Sequence, residues 1–327
     1  MTPEGTDAGM EIAYEESPVF FDSPDGEVFG IVTRPVDGDG STGCIVLPGG
    51  GTPLTTNRNR FSVRLCRELA AMGATALRMD YHGTGESSGT VEIFHLGRPF
   101  VHDATAAIDR LKGRGVERFV LIGSTCFGSR TAIAAAAECR EVEEVIALAL
   151  PLRDFAMGEG QSQSAALRKG MSSYVREAFR PRTVKRLFDA RGRRSLTRHA
   201  KAKYQVTRDR AQRLVPGTSP STNGATGVSP RLMASLTTLV DRSTDIVLVY
   251  GEEDAYYREF RDASDGALAP LLARAGSHLR VELVPGRAHG LTRVSVQDAV
   301  TRSILEHASR SLDGRAGDRP VASGETG

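Results

Sequence analysis

The sequence has no tryptophan, and Phe, Tyr and Trp together make up only 6% of its 327 residues. Glycine, by contrast, is abundant at 35, a balance that suits an α/β sheet with tight turns. Its four cysteines, Cys44, Cys66, Cys126 and Cys139, are too few for a disulfide framework in a chain of this length. No run of about 18 apolar residues occurs, so no helix is expected to span a bilayer. The opening Met1-Thr2-Pro3-Glu4-Gly5 carries neither the basic nor the apolar region of a secretory signal, and the expectation is a reduced, cytoplasmic protein. Charge of one sign is not in excess: 42 basic against 40 acidic residues leave +2, which excludes a generic polyanion binder. The GxGxxG fingerprint is missing after the first parallel strand, and the Gly-rich run at 49–51 lacks the GK[ST] ending of a phosphate loop. His-Glu-x-x-His and CxxC patterns are absent as well. No cofactor, metal, nucleic acid or membrane partner is therefore expected.

What is present is the alternation of an α/β protein. Hydrophobic residues are 40% and charged residues 25%, ordinary for a soluble globular chain. Val19-Phe20-Phe21 and Val28-Phe29-Gly30-Ile31-Val32 flank the turn signal Ser23-Pro24-Asp25-Gly26 and predict a β-hairpin. Short apolar runs at 44–47, 76–79, 119–122, 145–148, 246–250 and 281–284 read as buried strands. Between them, helical spacing recurs: Phe61, Leu65, Leu69 and Met72; Val101, Ala104, Ile108 and Leu111; a small-residue run from Ser129 to Ala137; and Val296, Val300 and Ile304 near the end. Strand and helix in strict turn imply right-handed crossovers and a mostly parallel sheet of about eight strands.

The alternation is interrupted at 151–240. That stretch holds 18 Lys/Arg against 5 Asp/Glu and contains a Pro, Gly and Ser-rich run at 216–230. The expectation is a basic helical cap inserted between two parts of one core, 17–150 and 241–312, with residues 1–16 and 313–327 disordered.

The strongest chemical signal is Leu121-Ile122-Gly123-Ser124-Thr125-Cys126-Phe127-Gly128-Ser129, which joins a buried strand to a helix of small residues. A nucleophile on so sharp a turn needs small residues two before and two after it. Ser124 and Gly128 meet that requirement around Cys126; the neighbours of Ser124 and of Ser129 do not. Oriented N–H groups at the helix start favour an anion and are expected to lower the thiol pKa toward thiolate. The bland alternative is a buried, inert cysteine.

A thiol nucleophile needs a proton acceptor. Of seven histidines, His289 alone lies in a Gly-rich loop after the last strand, Pro285-Gly286-Arg287-Ala288-His289-Gly290, where a base at the carboxyl edge of the sheet would sit. Asp254 follows the preceding strand and Asp154 follows the strand after the nucleophile helix. Either can orient the imidazole, and only one is required. Pro48-Gly49-Gly50-Gly51 can bring the Gly50 N–H to a reacting carbonyl. With the Phe127 N–H it would form an oxyanion hole, worth about 2.7–4 kcal/mol per donor. Asp80-Tyr81-His82-Gly83-Thr84-Gly85-Glu86-Ser87 reads as a structural turn beside that loop.

Together, Pro48-Gly49-Gly50-Gly51, the Asp80–Ser87 run, the Cys126 elbow, Gly251-Glu252-Glu253-Asp254 and Ala288-His289-Gly290 resemble the α/β-hydrolase superfamily over nearly the whole chain. The family order of nucleophile, acid and histidine is reproduced, with Cys for the usual Ser and Ser124 for the usual first Gly. The resemblance narrows to the branch with a Cys-His-Asp triad. That branch holds dienelactone hydrolases, bile-acid-type acyltransferases, and the stand-alone Dieckmann cyclases and cysteine thioesterases of natural-product assembly lines. The cap length and Asp154 are similar to the cyclase type. What the resemblance implies is acyl transfer from a carrier-bound thioester (polyketide or polyketide-peptide) onto Cys126, followed by Dieckmann-type cyclisation. A basic cap would suit an anionic acyl or peptidyl carrier protein. The alternatives are a simple esterase, thioesterase or dienelactone-type hydrolase and, in a different class, a non-catalytic binding protein on the same fold.

Overall fold

The computed structural model describes residues 14–36, 40–50, 55–91, 93–156 and 227–313. The Ser23-Pro24-Asp25-Gly26 turn closes a hairpin of β1 (Tyr14–Ser23) and β2 (Gly26–Pro35), with Ser23 opposite Gly26 and Tyr14 opposite Pro35. Residues 14–16, expected among the disordered ones, are therefore strand. Glu16 secures them through ion pairs to Arg67 at 2.6 Å and Arg78 at 2.8 Å, and the Arg67 guanidinium lies over the Tyr14 ring.

The remaining strands are β3 (Thr42–Leu47), β4 (Thr75–Met79), β5 (Arg118–Gly123), β6 (Val142–Leu148), β7 (Asp245–Gly251) and β8 (Leu279–Val284). They assemble in the order β1-β2-β4-β3-β5-β6-β7-β8. β2 pairs antiparallel with β4, and every pairing from β4 to β8 is parallel. Every residue of β3 and β4 is buried, as continuous apolar runs covered on both faces require.

Helices cover both faces. α1 (Phe61–Ala71) and α7 (Val294–Asp313) pack Phe61, Leu65, Leu69, Val300 and Ile304 against one face of the sheet. α2 (Val101–Lys112), α3 (Thr125–Glu138) and α4 (Pro230–Asp241) bury Ile108, Leu111, Ile133, Leu232 and Leu236 against the other. Met72, expected on the buried stripe of α1, instead follows the helix end and is exposed. α5 (Ala255–Ser264) and α6 (Ala269–Ala275) lie between β7 and β8.

Most of the stretch expected as a cap lies outside the described residues. Its last part does not. α4 falls within 151–240, yet it packs along α3 and feeds β7 as a crossover helix, so the second part of the core is entered before residue 241. Ser229 caps it, its hydroxyl accepting from the Leu232 N–H at 3.3 Å, and Pro230 occupies the first turn.

Candidate active site

In a parallel sheet the carboxyl ends of β3 and β5 to β8 share one edge, and each carries a segment singled out by sequence. The corner after β5 is tight. A Cβ on Gly123 would lie 2.4 Å from the Ser129 Cα, and one on Gly128 would lie 2.4 Å from the Leu47 carbonyl oxygen. Only glycine lets α3 return so closely over β5 and β3. The residue in the left-handed region is Thr125, at φ 60°, with Ser124 extended before it.

The tip of the corner is thus one residue earlier than the Cys126-centred pattern predicts. Around Thr125, the small residues are Gly123 two before and Gly128 three after. Thr125 was not singled out by sequence because Phe127, two after it, is large; the available signal was Gly123. A β-branched residue at positive φ stores strain on the order of 1–3 kcal/mol, and such strain gathers at functional corners. The Thr125 hydroxyl also lies against Gly49, where a Cβ would come within 2.0 Å of it.

Cys126 begins the helix with its side chain buried beside that tip. The N–H groups of Phe127 and of Cys126 itself and the Thr125 hydroxyl favour its charged form. Burial outweighs them and pushes the thiol up to about 11. This corrects the expectation of a thiolate favoured by the helix start: desolvation of the charged form is the larger effect. At neutral pH the resting group is therefore the thiol.

The histidine loop is built by close backbone approach. A Cβ on Gly251 would fall 2.4 Å from the Gly286 carbonyl oxygen and 2.5 Å from the Ala288 nitrogen. Asp254, almost fully buried, accepts from the N–H groups of Gly251 at 2.8 Å, Ala288 at 3.1 Å and His289 at 3.2 Å. Its carboxylate thus holds the main chain of the histidine loop. Among the described residues no hydrogen bond joins it to the imidazole itself. Burial lowers the His289 pKa, and the Asp254 charge works against that shift.

Tyr256, two residues after Asp254, links the two halves. Its ring stands edge-on to the His289 imidazole with centroids 4.9 Å apart, and stacks on Phe155 at 6.5 Å. Burial first, then the neighbouring Cys126, Glu259 and Asp254, raise its phenol pKa. Cys126, Tyr256, His289 and Asp254 therefore occupy one neighbourhood at the carboxyl edge.

Asp154 is engaged elsewhere. It forms an ion pair with the buried Arg130 of α3 and accepts from the Ser229 hydroxyl at 2.8 Å, while Arg130 also reaches the Pro151 carbonyl at 3.3 Å. Gly50 packs against the Phe94 ring, where a Cβ would come within 2.8 Å. Phe127 is fully buried in a cluster with Tyr81, Phe94 and Phe100. The Asp80–Ser87 run forms the expected turn: the Glu86 N–H donates to Asp80 at 3.2 Å and the Ser87 hydroxyl accepts from the Phe29 N–H at 2.8 Å. His278 is paired to Asp245 and His307 is buried between Glu144 and Glu282. His199 lies outside the described residues.

Solved structures share this architecture. An esterase from Pyrococcus furiosus aligns over 91% of this chain and 93% of its own at 14% identity, with a TM-score of 0.56. The fold is that of the α/β-hydrolases. A bacterial brefeldin A esterase aligns over 97% of this chain and 80% of its own at 21% identity and TM-score 0.51. An α/β serine hydrolase homologue from Coxiella burnetii aligns over 90% and 97% at 14% identity and TM-score 0.50. No protein-family model and no curated protein matches the chain. In α/β-hydrolase terms, Cys126, Asp254 and His289 follow β5, β7 and β8 in that order. No helix among the described residues is long and apolar enough to cross a membrane.

Proposed function

We propose that the chain is an acyl-transfer enzyme in which Cys126 is the nucleophile, His289 the proton carrier and Asp254 the residue that fixes the histidine loop. The observation that carries this reading is that Tyr256, its ring 4.9 Å from the His289 imidazole, also neighbours Cys126, so that thiol and imidazole share the carboxyl edge. Thr125 occupies the tip with its hydroxyl against Gly49, and that hydroxyl favours charge on the neighbouring sulfur. Because the resting group is a thiol, His289 takes the proton as the sulfur attacks the acyl carbonyl. The Gly50 and Phe127 N–H groups then stabilise the tetrahedral oxyanion. As the carrier C–S bond breaks, imidazolium gives the proton to the departing thiolate, leaving an acyl-Cys126 thioester. A carrier thioester suits this chemistry, since one thioester is exchanged for another. Attack by an internal carbanion would release a ring, the Dieckmann-type outcome, and attack by water a free acid.

The second reading is a simple esterase or thioesterase, favoured by the two esterases among the structural neighbours. A short acyl-pantetheine thioester incubated with the full chain separates the possibilities by intact mass. Cys126→Ala is expected to abolish the acyl adduct and lower turnover by about 10³-fold or more, whereas Thr125→Val keeps the adduct. Loss of the adduct in Thr125→Val with retention in Cys126→Ala would move the nucleophile to the Thr125 hydroxyl. Chromatography of the product, ring or acid, decides between cyclase and thioesterase.

A further inference from the structure

Beside the elbow, the chain gathers arginines that the acyl-transfer steps do not use. Asn57 is buried, and its side-chain amide donates to the Ser124 hydroxyl at 3.0 Å, two residues before Cys126. From that anchor the chain runs through Arg58, Asn59 and Arg60, all exposed, into α1. Asn57, Asn59 and Arg60 have φ of 57°, 51° and 56°. That region is uncommon for residues other than glycine, and Arg60 lacks the short polar side chain that eases it for Asn.

Gln297 ties this segment to the start of α7. Fully buried, its side chain donates to the Arg58 carbonyl at 3.2 Å and accepts from Arg64 at 3.0 Å, while its N–H donates to the Arg293 carbonyl at 3.0 Å. Arg58, Arg60, Arg64 and Arg293 therefore gather where α1 and α7 begin. Arg64 is committed to Asp298 at 3.0 Å. Arg58, Arg60 and Arg293 are exposed and form no ion pair among the described residues. Neither helix has an acidic residue in its first turn, and no side chain caps α1, so the positive ends of two helix dipoles add to the three guanidinium groups. The excess is local: outside residues 151–240, acidic residues outnumber basic ones by 35 to 24.

We infer that Arg58, Arg60 and Arg293 hold the phosphate of the acyl donor, the group that ends a pantetheine arm. The inference rests on the acyl-transfer reading above and gives its donor a recognition element. Guanidinium groups match phosphate oxygens in pairs, and a phosphate brings the counter-charge that these three lack. Asn57 joins the patch to the elbow, so the phosphate end is held while the thioester end reaches Cys126. Backbone strain of the kind seen at Arg60 gathers at ligand clamps, where side chains must be presented in one arrangement.

The same acyl chain carried on pantetheine and on 4′-phosphopantetheine makes the direct comparison, with thiol release by the full chain as the readout. The phosphorylated donor should have a KM about tenfold lower, and the advantage should shrink as salt rises. Arg58→Gln, Arg60→Gln and Arg293→Gln together should erase that advantage by raising KM for the phosphorylated donor. Circular dichroism should stay native, because all three side chains are exposed. Arg58→Lys, Arg60→Lys and Arg293→Lys together should restore part of it, since lysine still supplies a point charge. Acyl-coenzyme A separates the two sources of such an arm. A further fall in KM that the triple Gln substitution removes points to the free cofactor, and no further fall points to an arm borne on a carrier protein. Equal KM for the two donors in the native chain, or an advantage that survives the triple Gln substitution, overturns the inference. Calorimetry on Cys126→Ala isolates binding from chemistry: 4′-phosphopantetheine should bind about tenfold more tightly than pantetheine. Failed acylation with that preference intact would count against the nucleophile alone, and binding without the preference against the phosphate site alone.

Discussion

The state of one sulfur atom separates two kinds of cysteine catalysis. An ion-pair enzyme holds a ready thiolate, whereas a buried thiol must lose its proton as it attacks. Cys126 belongs to the second kind, because burial lifts it to about 11. Alkylation by iodoacetamide should therefore be slow at pH 7 and accelerate about tenfold per pH unit through pH 9. Peptide mapping by mass spectrometry can follow Cys126 among its three sister cysteines, of which Cys44 and Cys66 are fully buried. A rate that levels off by pH 8 would mean a thiolate paired with His289 in the resting protein.

Among the elements, α3 does the most joining, since it carries Cys126 at its start and Arg130 one turn later. The Arg130–Asp154 pair, with Ser229 bonded to both, pins α3 to the segment after β6 and to the start of α4. Asp154→Ala leaves a buried guanidinium without its counter-charge, and urea unfolding should show a loss of about 3–5 kcal/mol. A loss of turnover with unchanged stability would instead make Asp154 the carboxylate that serves His289. The strands themselves were legible in the sequence, because short apolar runs such as Cys44–Leu47 and Phe119–Ile122 admit few other readings. The limits of α4 were not, because charge and composition grouped it with the basic stretch before it. Nor was the tip of the elbow: a small residue stands two before both Thr125 and Cys126, and one-residue register is fixed by how Gly123 and Gly128 meet Ser129 and Leu47 in space. That Asp254 would hold backbone N–H groups, rather than the imidazole, is likewise a matter of loop geometry that spacing does not encode.

For the molecule as a whole, the buried acids set the response to alkali. Cys126 and Cys66 are pushed up to about 11 and about 12 by burial, and the Cys44 thiol and the Tyr81 and Tyr250 phenols are raised as well. A group whose folded pKa exceeds its unfolded value contributes stability below the unfolded pKa, and that contribution is lost as pH rises through the folded one. The unfolded chain releases thiol protons from about pH 8.5 while the folded chain keeps them. Urea midpoints should therefore fall steadily between pH 8.5 and 10.5, and a flat profile would contradict the burial of these groups.

The Ser229 contacts carry a last consequence. Its hydroxyl donates to Asp154 and its N–H donates to the Leu152 carbonyl at 2.7 Å, so the chain leaves the core and re-enters it at almost the same point. Bringing the ends of so long an excursion together costs little more than closing a short one. The sheet is thereby insulated from whatever is strung between those ends, and sequence there can be exchanged as a cassette without renegotiating the architecture beneath.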